Sequence, residues 1–161
     1  DKLAEAVESG EFEQSVLDQA SALRKRVSER RRSLEGRADT EEVCGDYDIA
    51  LACWNEIGAR FGEDEFERSP KAEAARISKL EDLDKERKAR RAFLAARQKV
   101  FAAFENLNND KAKTVAACTK GVAIMKEYIE AKKDRRPAAS AQTLVEYWAS
   151  WKEDLEAEEK K

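Results

Sequence analysis

Apolar residues recur at alternating intervals of three and four along five stretches of this chain of 161 residues. One of these stretches carries the series Val43, Tyr47, Ala50, Trp54, Ile57 and Phe61. An average interval of about 3.5 residues keeps one narrow face of an α-helix turned towards a neighbouring helix. No stretch alternates apolar and polar residues as a half-buried strand does. The pattern therefore predicts an all-α fold, an elongated antiparallel bundle of four to five long amphipathic helices.

Gly, Pro and Asn residues mark the predicted helix ends. Gly36 and Gly62 suit positions just after a helix, Ser69-Pro70 suits the cap and first residue of another, and Pro137 begins the last. A single domain is predicted, with helices at approximately 11–35, 40–61, 70–107, 110–133 and 137–159. The third helix would span on the order of 55 Å, which predicts an elongated molecule. Its charged stretch 84–91 lacks an apolar seam, so we expect any break in this helix to fall there.

The chain contains no histidine, which removes the commonest general base and the commonest metal ligand. Its three cysteines, Cys44, Cys53 and Cys118, lack the C-x-x-C spacing of zinc sites. Apolar neighbours around Cys53 and Cys118 raise rather than lower the pKa of a thiol. The sequence has no Gly-rich phosphate loop and no carboxylates paired on an apolar face. We therefore predict no enzymatic activity, no catalytic residue, no metal ion and no cofactor.

Charged residues make up 40% of the chain, but the net charge is only −3, so the overall field does not attract nucleic acid. The basic clusters at 24–32 and 85–99 lack the interleaved aromatic residues that stack on bases. No apolar run reaches the length of about 18 residues that a membrane span needs. We therefore expect no nucleic acid, no membrane span and no small-molecule substrate. The expected partner is a protein, either a different one or a second copy of this chain.

The cysteines also bear on the compartment. Cys44 and Cys53 lie on one predicted helix about 13 Å apart, too far for a disulfide. Cys118 could pair with either of them across two helices, and both pairings stay open. Unpaired thiols favour a reducing compartment, which is an argument for the cytoplasm. A targeting peptide that had been removed would instead place the protein at the extracellular surface.

Two segments of the chain resemble each other, Gly10-Glu11-Phe12-Glu13-Gln14-Ser15-Val16 and Gly45-Asp46-Tyr47-Asp48-Ile49-Ala50-Leu51. They start 35 residues apart, close to the period of about 34 in tetratricopeptide repeats. Residues 10–57 as a whole resemble the helical hairpins of that family, in which a glycine permits the turn and an aromatic residue packs back. This resemblance implies a scaffold for protein–protein contacts. In composition alone, the chain is also similar to the Glu- and Ala-rich helical coat proteins of trypanosomes.

The predicted function is a non-catalytic protein–protein interaction module, adaptor or scaffold, because no catalytic chemistry is evident. The alternative is an extracellular or cell-surface structural or receptor-like helical bundle, which a signal peptide upstream would favour. The candidate partner contact is Tyr147, Trp148 and Trp151, three aromatic residues within one turn and a half of the last predicted helix. Trp148 and Trp151 lie on the apolar seam and Tyr147 lies beside it. We therefore expect Tyr147 to be exposed and to contribute most to binding.

Overall fold

The computed structural model describes residues 14–62 and 68–158, and 86% of these residues are helical with no strand among them. The all-α prediction is therefore confirmed. The described helices are α1 (Gln14–Val43), α2 (Tyr47–Phe61), α3 (Pro70–Ser78), α4 (Leu83–Phe104), α5 (Lys111–Lys132) and α6 (Pro137–Glu158). None of the helices within these two ranges combines the length and the apolar character that a membrane crossing needs.

The described helices bury their apolar faces in two separate clusters. The first core is formed by α1, α2 and α3 with the start of α4, and its fully buried side chains include Trp54, Ile57 and Ile77. The second core is formed by α4, α5 and α6 around Val100 and Met125. The six helices therefore pack as two sets of three rather than around one continuous seam.

The predicted helix end at Gly36 is wrong, because α1 continues through this residue to Val43. Leu34 and Ala38 stand one turn apart on either side of Gly36 and are both buried in the first core. A helical glycine costs about 1 kcal/mol relative to alanine. Burial of a leucine side chain alone contributes about 1.5–3 kcal/mol, so packing outweighs the local preference.

Gly45, rather than Gly36, makes the turn between the first two helices. Its φ of +76° lies in the left-handed region, which favours glycine. The Gly45 N–H donates to the carbonyl of Glu42, and the Asp46 N–H donates to the carbonyl of Glu41, as in a Schellman turn. The predicted helix start at residue 40 is therefore also wrong. The second helix begins at Tyr47, and the Asp46 side chain caps it.

The third predicted helix, residues 70–107, is interrupted between Ser78 and Leu83, not in the charged stretch 84–91. The break has no Gly or Pro to signal it. Its cause is tertiary: the Asp82 carboxylate pairs with Arg135 at 3.0 Å, ahead of α6 in the chain, and Leu83 is buried in the first core. Helix α3 thus ends against the first core, and α4 runs from there into the second core.

An ionic junction connects the two cores. The Arg90 guanidinium donates to the Asp46 carboxylate at 2.9 Å, and both side chains are largely buried. The buried Glu86 carboxylate accepts the backbone N–H of Arg136 at 3.2 Å, and the Arg136 guanidinium donates to the carbonyl of Glu42 at 2.9 Å. These bonds tie the α1–α2 turn to the start of α4 and to the segment before α6. They therefore fix the positions of α4 and of the start of α6 relative to the α1–α2 turn.

Candidate functional site

The three predicted contact residues are all on α6, but the structure gives them different environments. Trp148 is 4% exposed and belongs to the second core, Trp151 is partly buried at the edge of that core, and Tyr147 is 60% exposed. Tyr147 is thus accessible, as a partner contact must be. Its role in binding stays a prediction, and Trp148 is not accessible to a partner.

Trp148 is held by a close crossing of α4, α5 and α6. A Cβ atom added at Gly121 would lie 3.1 Å from Cε3 of Trp148 and 3.0 Å from Cγ1 of Val100. A larger residue at position 121 would therefore press on both Trp148 and Val100. The ring also lies 5.9 Å from that of Phe104 on α4. The three helices therefore meet closely at Gly121, Val100 and Trp148.

A series of rings extends from this core to the surface. Phe104 and Trp151 stack with their ring centroids 5.8 Å apart and their planes 6° from parallel. Tyr147 follows at 6.2 Å from Trp151, tilted by 45°. Aromatic contacts of this kind contribute about 0.5–1.5 kcal/mol beyond the area they bury. Tyr147 is therefore anchored at one edge while its other face is open to solvent.

Helix α4 adds exposed side chains that the sequence analysis did not single out. Phe101, one turn before Phe104, is 49% exposed, and the Arg97 guanidinium lies 4.9 Å from the centre of its ring. Leu94, about two turns before Phe101, is also exposed, but it lies beside the α1–α2 turn near Asp46. A signal was present in the sequence: Phe101 is a large aromatic residue next to seam residue Val100 and off the seam itself, as Tyr147 is. We call Arg97, Phe101, Tyr147 and Trp151 the aromatic surface.

Charges of both signs are found on the two helices that carry the aromatic surface. Arg97 belongs to the surface itself on α4. Asp154 is exposed on α6, two turns after Tyr147. Charged residues beside exposed aromatic residues are common at protein–protein interfaces.

Two of the three thiols and the carboxylate of Glu73 have environments that shift their pKa. Burial raises the pKa of the Cys53 and Cys118 thiols, and all three cysteines are free, so neither possible disulfide forms. Hydrogen bonds from Arg68 and then Arg76 lower the pKa of Glu73. No group of three or more His, Cys, Asp or Glu residues in ranges 14–62 and 68–158 is arranged to hold a metal ion. In the ionic junction, the Asp46 carboxylate pairs with Arg90 and the Glu86 carboxylate accepts the backbone N–H of Arg136.

Comparison of the chain with protein-family models, with curated proteins and with solved structures found no match.

Proposed function

We propose that the protein is a non-catalytic protein–protein interaction module, an adaptor or scaffold, and that it binds a partner through the aromatic surface. The observation that carries the proposal is the exposure of two large aromatic side chains, Tyr147 and Phe101, on helices that meet at the Phe104–Trp151 stack. Exposed apolar side chains that cluster in this way mark interaction surfaces more often than isolated ones do.

The chemistry of the surface fits a binding hot spot. Tyr, Trp and Arg are the residue types enriched at positions that contribute most to binding, and all three are present. Tyr147 and Phe101 each have few rotatable bonds, so little conformational entropy is lost when a partner covers them. The tilted contact of Tyr147 with Trp151 and the Arg97 guanidinium over the Phe101 ring restrict the two rings further. The surface is therefore largely organised before a partner arrives.

A site-specific photo-crosslinking experiment tests the proposal. A photoreactive phenylalanine analogue would replace Tyr147 in the full chain, expressed in the cells that make the protein. The matched control would place the same analogue at Gln142, which is exposed on the same helix and points about 140° away from Tyr147. We expect discrete crosslinked proteins from position 147 that are absent from position 142.

Each crosslinked protein would then be purified and its affinity for the chain measured. Truncation of a hot-spot aromatic residue typically weakens binding by about 2 kcal/mol, or about 30-fold. We expect Phe101→Ala to weaken binding by a comparable amount. Crosslinks to a second copy of the chain would identify a self-associating scaffold. Identical products from positions 147 and 142, or no products from either, would contradict the proposal.

A further inference from the structure

Helix α1 extends well beyond the helix that packs on it. It has 30 residues and α2 has 15, lengths of about 45 Å and about 22 Å. The Arg30 guanidinium pairs with the Glu56 carboxylate at 3.6 Å, which places residue 30 beside the last turns of α2. The buried residues of α1 are Leu34 and Ala38, both further towards its C-terminus. Residues Gln14–Val27, which we call the α1 extension, therefore lie past the end of α2.

The α1 extension carries the apolar spacing of a coiled coil. Val16, Ala20, Leu23 and Val27 follow each other at intervals of four, three and four. Leu23 is 61% exposed, and both valines are exposed as well. Two helices that share this spacing interlock their side chains along one seam. The extension thus presents about two heptads of seam to a further helix.

The charge beside this seam is strongly positive. Six of the nine residues from 24 to 32 are Lys or Arg and one is Glu, in a chain whose net charge is −3. Arg24 and Arg26 occupy the two positions that flank the seam at Leu23 and Val27. Residues at these flanking positions select partners by charge in coiled coils. The flanks therefore favour a helix that places Asp or Glu opposite them.

Two other occupants fit the α1 extension less well. A second copy paired in parallel through the same seam would bring two basic clusters together, and like charges at flanking positions destabilise such pairs. A second copy paired antiparallel would place Leu17 and Gln19 opposite the flanking positions 24 and 26, and so would offer the basic side chains no carboxylate. A nucleic acid would match the charge but would leave Val16, Leu23 and Val27 exposed. Residues 14–43 also contain no aromatic residue on which a base could stack.

We propose that the α1 extension is a second binding surface, which takes an acidic amphipathic helix of a partner protein as a two-stranded coiled coil. Val16, Ala20, Leu23 and Val27 form the apolar seam with the partner helix, and the basic residues that flank this seam, Arg26 among them, face its carboxylates. This surface is separate from the aromatic surface and does not depend on it. With both surfaces, one chain could hold two partners at once, as an adaptor does.

A designed peptide tests the inference on the full chain. The fluorescent probe would be a peptide of about three heptads with Leu at both seam positions and Glu at both flanking positions. The control peptide would carry Lys at the flanking positions. Titration followed by fluorescence anisotropy should show saturable binding of the Glu peptide and none of the Lys peptide. Binding should weaken as salt is raised from about 50 to about 300 mM, because screening shortens the reach of the charges.

Three variants locate the binding site. Leu23→Gln removes apolar contact without adding charge, and Arg26→Glu reverses one flanking charge; we expect each to weaken binding by about tenfold or more. The matched control is Val43→Gln, an exposed position at the other end of α1, which should bind as the wild type does. All three side chains are exposed, so the helix content should stay the same in each variant.

Four outcomes would overturn the inference. The first is no binding of the Glu peptide, and the second is equal binding of the Lys peptide. The third is a dimer of the chain alone, seen in sedimentation, that the Leu23→Gln substitution dissociates; the occupant would then be a second copy. The fourth is that duplex DNA displaces the peptide and binds the Leu23→Gln variant as tightly as the wild type; the surface would then bind nucleic acid.

Discussion

The same substitution, glycine to alanine, made separately at two helical glycines tests the packing around Trp148. Gly121 lies in α5 against two buried side chains, and Gly36 lies in α1 with nothing within 4 Å of a Cβ atom. Replacing a helical glycine by alanine gains up to about 1 kcal/mol from helix propensity at either position. At Gly36 this gain is unopposed, so Gly36→Ala should raise the free energy of unfolding by about 0.5–1 kcal/mol.

At Gly121 the same gain is opposed by overpacking. The new methyl group would lie 3.0 Å from Val100 and 3.1 Å from Trp148, and both of these side chains are buried and cannot swing away. An extra methyl group in a well-packed core costs about 1–3 kcal/mol. Gly121→Ala should therefore lower the free energy of unfolding by about 1 kcal/mol. In a chain of this size, a change of that amount shifts the melting temperature by about 2–4 °C.

Denaturant unfolding of the two variants, followed by circular dichroism, measures both effects. Gly121→Ala combined with Val100→Ala should be less destabilised than the sum of the single changes, because the smaller residue makes room for the new methyl group. Equal stabilisation by Gly121→Ala and Gly36→Ala would refute the close crossing of α4, α5 and α6. So would strictly additive effects in the double variant.

Three further predictions concern turns and protonation. Gly45→Ala should destabilise the protein by more than about 1 kcal/mol in thermal unfolding, because φ is +76° and the new methyl group would lie 2.8 Å from Cδ of Pro137. The control is Gly62→Ala, which also has a positive φ but has nothing within 4 Å of the new methyl group, and which should therefore cost less. Because ion pairing lowers the pKa of Glu73 in the folded protein, its contribution to stability is present above its ordinary pKa of 4.5 and is lost as the pH falls through the folded value. Glu73→Gln should therefore flatten the acid limb of a stability–pH profile, and an unchanged profile would contradict this. Burial raises the pKa of Tyr128 to about 12, while its hydroxyl donates to the carbonyl of Ala89 at 3.0 Å. The folded state disfavours the phenolate, so stability should fall as the pH rises above 10.0; Tyr128→Phe should remove the most alkaline step of a phenolate titration and should lessen that fall.

The sequence pattern predicted the helices well and their interruptions poorly. The apolar seams at Trp54, Ile57 and Trp148 correctly identified buried faces, because an amphipathic period needs only local information. The break before Leu83 and the continuation through Gly36 were missed, because each depends on contacts with residues distant in sequence. Arg135, for example, lies 53 positions beyond Asp82. Local propensity does not report such contacts.

The candidate site was predictable in part. An aromatic residue beside an apolar seam identified Tyr147, and the same rule applied to α4 would have identified Phe101. That the two helices meet at Phe104 and Trp151 follows from the packing and not from any local signal. The tetratricopeptide resemblance stays a prediction, and four of the seven residues of its first segment, 10–13, lie outside the described residues. The cell-surface alternative and the single-domain assignment also stay predictions.

The measurement that tests the central claim most directly is the affinity of the chain for the protein crosslinked at position 147. Tyr147→Ala would be compared with Gln142→Ala, and the melting temperature of each variant would be measured alongside. We predict that Tyr147→Ala weakens binding by about 30-fold while its melting temperature falls by no more than about 6 °C, since the side chain is 60% exposed and loses only its ring contact with Trp151. Gln142→Ala should bind normally. Equal affinities of the two variants, or a drop in melting temperature of Tyr147→Ala that accounts for the lost binding, would contradict a role for the aromatic surface in partner recognition.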